Sequence, residues 1–126
     1  MVNLKSVSPQ LLVADLNAAI AHYEQCLGFS RKIDYGGFYG SVERDGVEIH
    51  LKGADKLPGA RAHVLDNDHV DAFIEVEDVK GLYTELQARG ASILRAVTRQ
   101  PWGAEDFYVL DLDGYVLCFS ERDSGD

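Results

Sequence analysis

Apolar residues follow two different periods along the chain, and the changes between them mark strands and helices. Residues 11–14 form a continuous apolar run that stops at Asp15, as expected of a buried strand. The apolar positions after Asp15 recur at helical spacing and predict a helix with one buried face. This stripe consists of Leu16, Ile20, Tyr23 and Leu27. Asp15 suits the N-cap of the helix, and Gly28 suits its left-handed C-terminal position.

The same succession returns in the second half of the chain. Residues 73–78 again form a largely apolar strand that ends on an acidic residue, and Asp78 follows Asp15 by 63 positions. The second helical stripe consists of Val79, Leu82, Tyr83 and Leu86. Gly90 closes this helix as Gly28 closes the first, so the chain contains an internal repeat.

Further strands are predicted after each helix. Asp45-Gly46 is typical of a two-residue hairpin turn, and residues 47–52 after it alternate between apolar and polar side chains. Asp113-Gly114 leads into residues 115–120 in the same way, 68 positions later, so His50 corresponds to Cys118. Each half therefore predicts a strand, a helix and about three more strands.

The two halves are predicted to share one domain of residues 1–126. They cover about 4–53 and 70–122, and neither is long enough to bury an adequate core alone. Residues 53–69 are interpreted as a linker because they combine glycine and proline with an acidic cluster. The residues that mark this linker are Gly53, Pro58, Gly59, Asp66, Asn67 and Asp68.

Two βαβββ halves of this kind resemble the vicinal oxygen chelate superfamily, which includes glyoxalase, extradiol dioxygenases, fosfomycin resistance enzymes and bleomycin resistance proteins. The segments that carry the resemblance are Val13-Ala14-Asp15-Leu16, Leu27-Gly28-Phe29, Arg44 to Leu51 and Asp111 to Tyr115. The resemblance covers about residues 6–122 and implies an α+β fold in which two repeats form curved mixed sheets with a cleft. Pro9, residues 71–73 and Pro101-Trp102-Gly103 are most similar to the bleomycin resistance branch.

The resemblance also implies four metal positions, which fall at Ser8, His50, Asp71 and Cys118. Metal-dependent members carry His, Gln or Glu there, whereas a serine hydroxyl is a poor ligand and a thiol softens the site. We therefore expect no metal, no other cofactor and no catalytic residue. A zinc site of His, Asp and Cys stays open as the alternative, and with it a metal-dependent lyase, dioxygenase or thiol transferase.

Other catalytic chemistry lacks support in the sequence, which contains no GxSxG, HExxH, GxGxxG or Walker motif. His22 is expected on a solvated helix face, and His63 and His69 fall in the linker. His50 shares a strand face with Glu48 and Lys52, where it is equally compatible with a ligand contact and with a structural role.

Composition narrows the classes of partner. The chain has 12 basic and 21 acidic residues, a formal charge of −9, so nucleic acid and anionic membranes are unfavourable partners and cationic ligands are favoured. No long apolar stretch suggests a signal peptide or membrane span, so we expect the cytoplasm. Cys26 and Cys118 are expected to remain thiols there.

Aromatic residues beside glycines are the remaining candidates for binding. Phe38 and Trp102 are predicted to contact a flat or cationic ligand, whereas Tyr35, Tyr39 and Phe107 are predicted to pack. The complete set of predicted ligand-binding residues is Phe38, Glu48, His50, Lys52, Asp71, Phe73, Trp102, Gly103 and Cys118.

The sequence thus predicts a protein that sequesters a cationic, planar antibiotic of the bleomycin kind in clefts between two chains. Open sheet edges favour a homodimer. The resemblance further implies that the strand around Ser6 to Leu12 is exchanged between chains, with Pro9 as the hinge. A superfamily enzyme and a small-molecule sensor or carrier are the alternatives.

Overall fold

Each half of the chain forms one four-stranded sheet with one helix in the computed structural model, which describes residues 2–57 and 68–124. The first half contains β1 (Gln10–Val13), α1 (Leu16–Cys26), β2 (Ser30–Tyr35), β3 (Tyr39–Arg44) and β4 (Val47–Gly53). The second contains β5 (Ala72–Glu75), α2 (Val79–Ala88), β6 (Ser92–Gln100), β7 (Ala104–Leu110) and β8 (Val116–Arg122).

The two sheets have the same topology. Their strand orders are β1-β4-β3-β2 and β5-β8-β7-β6, and in each sheet the first strand runs parallel to the last. The remaining neighbours are antiparallel. The predicted α+β fold with two βαβββ repeats is therefore confirmed.

The helices begin and end where the sequence predicts. The Asp15 carboxylate accepts from the Ala18 N–H at 3.1 Å, and the Asp78 carboxylate accepts from the Gly81 N–H at 3.0 Å. Each carboxylate satisfies an N–H that has no partner inside its helix. Beyond the helices, Gly28 and the equivalent Gly90 adopt positive φ angles of 72° and 84°.

The two predicted hairpin turns differ. Asp45 and Gly46 have φ angles of 52° and 85°, which form the tight two-residue turn that the sequence predicts. The second turn is wider, because the Asp111 N–H donates to the Tyr115 carbonyl and the Asp111 carboxylate accepts from the N–H groups of Asp113 and Tyr115. The two turns thus occupy equivalent positions in the repeat, as predicted, but their backbone conformations differ.

One buried core joins the halves. It contains Leu16, Ile20, Ile49 and Leu51 from the first half together with Val79, Leu86, Phe107, Leu117 and Phe119 from the second. Polar bonds cross the same seam: the Tyr23 hydroxyl donates to Asp111 at 2.7 Å, and Arg44 donates to Glu85 at 2.9 and 2.8 Å. Burial and the Asp111 charge raise the pKa of Tyr23 well above its usual value.

The structure describes part of the predicted linker and nearly all of the N-terminal segment. Gly53 belongs to β4, and most of the remaining linker, including Pro58, Gly59 and Asp66-Asn67, lies outside the described residues. Residues 10–13 pair with β4 of their own chain, and the Pro9 carbonyl accepts from the His50 N–H. Part of the strand predicted to be exchanged, Ser6 to Leu12, thus lies in its own sheet, and the exchange stays a prediction for the residues before Gln10. Cys26 and Cys118 are free thiols. No helix within 2–57 and 68–124 is long and apolar enough to cross a membrane.

Candidate functional site

Strand β4 presents a row of polar side chains on one face of the first sheet. Ile49 and Leu51 point into the core, as the alternating sequence predicts. The side chains on the opposite, accessible face are Glu48, His50 and Lys52. We call this surface the first cup face.

Hydrogen bonds fix the imidazole of His50 on this face. Its Nε2 lies 3.3 Å from a Glu48 oxygen, and its Nδ1 lies 2.7 Å from the Tyr39 hydroxyl. The Tyr39 oxygen also accepts from the Gln10 amide at 3.2 Å, so a polar chain runs from β1 across β3 to β4. Tyr39 is half-buried against His50, and the prediction that it packs rather than contacts a ligand stays a prediction.

Glu48 is the ionised group of the first cup face. The neighbouring Ser41 hydroxyl and the Lys32 ammonium, 3.3 Å away, keep the pKa of Glu48 below its usual range. The side chain is one-fifth exposed, so its charge remains accessible from solvent. The Glu48 carboxylate therefore has a second oxygen, beside the one bonded to Lys32, that can accept from a cation on this face.

The corresponding face of the second sheet is largely closed to solvent, with Phe73 as its exposed member. Phe73, Cys118 and Tyr108 lie side by side there on three adjacent strands, and we call this surface the second cup face. Phe73 is exposed, whereas Cys118 is only 2% exposed and Tyr108 is also buried. Burial and the nearby Asp106 carboxylate raise the pKa of the Cys118 thiol to about 12. A ligand reaches Cys118 only if the side chains above it move.

Arg95 covers much of the second cup face. Its guanidinium lies 3.7 Å from the centre of the Tyr108 ring and forms an ion pair with buried Asp106. The Gln100 amide donates to the same carboxylate at 3.0 Å. The sequence analysis missed these residues, although the alternation of Asp106 and Tyr108 around Phe107 shows which side chains share this face.

The four positions implied for a metal do not form a ligand set. His50 lies on the first cup face and is bonded to Tyr39 and Glu48. On the second half, Asp71 accepts from the Val116 N–H at 2.8 Å, and the pKa of about 12 disfavours the Cys118 thiolate. Among the residues described, no three His, Cys, Asp or Glu side chains are grouped so that they can hold a metal ion. The donors present, with Ser8 as the fourth, do not fit the metal of the resembling enzymes.

Most of the predicted aromatic contacts lie at strand ends and in turns. Trp102 is 69% exposed in the turn between β6 and β7, and Phe38 is 52% exposed in the turn between β2 and β3. Tyr35 contacts the Phe38 ring edge-on at 6.0 Å and is 69% exposed, so it packs on a neighbouring ring at the surface. Phe107 is buried and stacked on Phe119, as predicted.

Gly103 and the remaining histidines that the structure describes lie outside the two cup faces. Gly103 has a φ of 85° in the same turn as Trp102 and bonds through its backbone to Gln100 and Asp123. His22 is half-buried, with its Nε2 unpartnered among the described residues, so the expected solvated position is wrong. His69 is exposed, and His63 lies outside the described residues.

The two cup faces lie apart within one chain. Ile49 and Leu51 behind the first face and Leu117 and Phe119 behind the second belong to the same core. Side chains alternate along a strand, so both cup faces point away from that shared core. The structure therefore brings Glu48, His50 and Lys52 together, and separately Asp71, Phe73 and Cys118, but it does not unite the two groups.

A comparison with protein families gives one match over most of the chain. Residues 5–119 match the model of the Glyoxalase/Bleomycin resistance protein/Dioxygenase superfamily. No curated protein sequence matches the chain.

Solved structures share the fold at low sequence identity. The chain is similar to a bleomycin-binding protein from Streptomyces verticillus complexed with copper(II)-bleomycin, with 23% identity, a TM-score of 0.70 and coverage of 99% of this chain and 100% of that one. It is also similar to a bleomycin resistance determinant encoded on the transposon Tn5, with 17% identity, a TM-score of 0.78 and coverage of 96% of this chain and 100% of that one. A third similar structure is a glyoxalase-related enzyme from Clostridium phytofermentans, with 21% identity, a TM-score of 0.76 and coverage of 96% of this chain and 97% of that one. These likenesses establish the fold.

Proposed function

The chain belongs to the Glyoxalase/Bleomycin resistance protein/Dioxygenase superfamily, and we propose that it binds a cationic, planar antibiotic of the bleomycin kind without changing it chemically. The observation that carries the proposal is the first cup face, where ionised Glu48 lies beside His50 and Tyr39 on an accessible sheet surface. The bleomycin-binding structure with the same fold supports this choice of ligand class.

Electrostatics favour a cation at this face. The chain carries a formal charge of −9, which attracts positive ligands over long range and accelerates their association. At short range the Glu48 carboxylate is the acceptor, and its lowered pKa keeps it ionised at neutral pH. Lys52 on the same face limits the number of positive charges that fit beside Glu48.

Exposed rings supply the contacts for a flat heteroaromatic group. Trp102, Phe38 and Phe73 all present more than half of their surface to solvent. Stacking on a ring of this kind is worth about 1–3 kcal/mol by analogy with bases on aromatic side chains. We assign Trp102 the largest contribution because its ring is the largest.

A second copy of the chain would complete the binding cleft. In one chain the first cup face is open on the side away from the core, so a twofold-related partner can cover it with its own second half. Residues 2–9 support this assembly, since Val2, Leu4 and Val7 are almost fully exposed next to β1. We propose a homodimer in which this arm crosses to the partner, with Pro9 as the hinge.

Titration of the purified protein with bleomycin tests the proposal, with unrelated planar cations as controls. Trp102, the chain's only tryptophan, provides the fluorescence signal. Glu48→Gln should weaken binding by about threefold to tenfold, the range of one partly exposed charge contact. Glu24→Gln on α1 is the matched control, since it removes the same charge away from the cup, and it should leave the affinity unchanged.

Two results would overturn the proposal in favour of the enzyme alternative. The first is about one equivalent of zinc, manganese or nickel per chain that survives purification. The second is loss of turnover or drug affinity when that metal is dialysed away against a chelator. The donor set at Ser8, His50, Asp71 and Cys118 predicts that the chelator leaves both the unfolding midpoint and the drug affinity unchanged.

A further inference from the structure

A groove of about 690 Å³ lies where the two halves meet, within the size range of small-molecule sites. Its floor is apolar and is built from Phe29 and Val47 of the first half and Ile74, Val76, Leu82 and Phe119 of the second. Ile74 and Phe119 belong to or pack on the core rather than the second cup face. None of the residues predicted to bind the antibiotic lines this groove.

The internal repeat shows why the groove is open. Val47 and Tyr115 occupy equivalent positions, each two residues after the aspartate of its Asp-Gly turn. Tyr115 is buried, and its hydroxyl donates to the Leu12 carbonyl at 2.7 Å. Leu12 is equivalent to Glu75, 63 positions later, and Glu75 lines the groove together with Val47. Where one side of the molecule places a tyrosine ring, the other side has only a valine.

A second contact of the filled side is also missing here. The Asp113 carboxylate accepts from the Ala14 N–H at 3.0 Å, which joins the second turn to the start of α1. The equivalent pair in the groove is Asp45 and Glu77, and no such bond joins them in the part of the chain that the structure describes. The side chain of Asp45 is instead 90% exposed and forms an ion pair with Arg44 at 3.7 Å.

The rim of the groove is strongly acidic. Five carboxylates line it, from Asp45, Glu75, Glu77, Asp78 and Glu85, against the single cation Arg44. Three of these groups are already engaged: Glu85 pairs with Arg44 and with Arg89, and Asp78 caps α2. Glu75 pairs with Arg122, which does not itself line the groove. Glu77 is exposed and has no ion-pair or hydrogen-bond partner within 2–57 and 68–124. The groove therefore combines space for one ring with an uncompensated negative charge.

We propose that this groove is a second small-molecule site, which binds a protonated amine that carries one aromatic ring. The ring fills the volume that Tyr115 fills on the other side, and the ammonium group lies between Asp45 and Glu77. Apolar burial supplies most of the affinity, and the carboxylates select a cation over an anion of the same shape. The site shares no lining residue with the predicted antibiotic site.

The test uses 2-phenylethylammonium as the probe and 3-phenylpropionate as its anionic counterpart, with binding followed by amide chemical shifts. Saturable shifts around Ile74, Val76 and Leu82, with none on the first cup face, are the expected result for the amine. The anion should bind at least about tenfold more weakly, since it meets the acidic rim.

Val47→Tyr provides the sharpest variant, because it introduces the side chain that the repeat uses at the equivalent position. We expect it to fold and to weaken amine binding by at least about tenfold while bleomycin binding is unchanged. The double variant Asp45→Asn with Glu77→Gln removes charge without filling the groove, and should weaken the amine about threefold to tenfold. If Val47→Tyr does not fold, this exposed double variant decides alone.

Three outcomes would overturn the site. One is the absence of saturable binding at millimolar amine, and another is equal binding of the amine and the anion. The third is unchanged amine affinity in folded Val47→Tyr, or in the double variant where that is the deciding protein. Failure of the antibiotic proposal would leave this result intact, because the readout is localised to the groove.

Discussion

At the residue scale, Glu85 is one of the side chains that join the two halves. It lies on α2 of the second half and accepts from Arg44 of the first half and from Arg89 of its own helix. Arg44 also donates to the Leu27 carbonyl at the end of α1. These bonds, the one with Arg44 foremost, lower the pKa of Glu85 from its ordinary 4.5.

The sign of this shift predicts how stability depends on pH. A carboxyl whose folded-state pKa is lowered stabilises the fold above its unfolded pKa, and that stability is lost as pH falls through the folded pKa. Urea unfolding should therefore show a stability loss below pH 4.5 that is smaller in Glu85→Gln than in the native protein. Glu24→Gln is the control, and an identical acid profile for Glu85→Gln would contradict the assignment.

Trp102 separates ligand binding from folding. Because it is 69% exposed, Trp102→Ala should change the free energy of unfolding by no more than about 0.5 kcal/mol. Loss of a stacked ring should weaken bleomycin binding roughly 5- to 150-fold at constant salt. Calorimetric titration and urea unfolding of this one variant distinguish a ligand contact from a structural role. A large stability loss with unchanged affinity would remove Trp102 from the site.

At the scale of elements, the helices depend on local chemistry that repeats in both halves. Asp15 and Asp78 each cap a helix, and Gly28 and Gly90 each end one with a positive φ. These signals act within a few residues of the chain, so they can be read without knowing the rest of the fold.

Removal of one cap should therefore have a modest and local cost. Asp15→Ala should lower the free energy of unfolding by about 1 kcal/mol, because the Ala18 N–H loses its acceptor. Asp15→Asn keeps an acceptor at the same place and should recover most of that loss. Equal effects of the two substitutions in urea unfolding would show that the cap is not the cause.

Interactions between elements were the part that the sequence could not predict. Alternation along β4 correctly placed His50 on the face opposite Ile49 and Leu51, yet its bond to Tyr39 depends on the pairing register of β3 and β4. Similarly, Cys118 is covered by Arg95 and its neighbours from β6 and β7, which no local pattern specifies. The groove beside Val47 required the comparison of both halves in three dimensions.

At the scale of the whole molecule, the repeat leaves two cup faces that point away from one shared core. The first is open and carries Glu48, and the second is largely covered by Arg95. An assembly that joins the first face of one chain to the second half of another accounts for both the open surface and the exposed apolar arm.

Sedimentation tests this assembly directly. We expect a species of ~28 kDa at micromolar concentration, twice the 13.9 kDa of one chain. Removal of residues 2–8 should shift the equilibrium toward the monomer, since it deletes Val2, Leu4 and Val7 while sparing Pro9 and the strand. Only a ~14 kDa species for the intact chain would end the dimer proposal.

The central claim is that the protein holds a cationic antibiotic without chemistry, and recovery of bound bleomycin tests it most directly. The measurement is a calorimetric titration followed by mass spectrometry of the drug released from the protein. We predict saturable binding of about one drug per chain, weakened by Glu48→Gln, and release of the drug with unchanged mass. No binding of any bleomycin-type glycopeptide, or release of a drug with altered mass, would contradict the account.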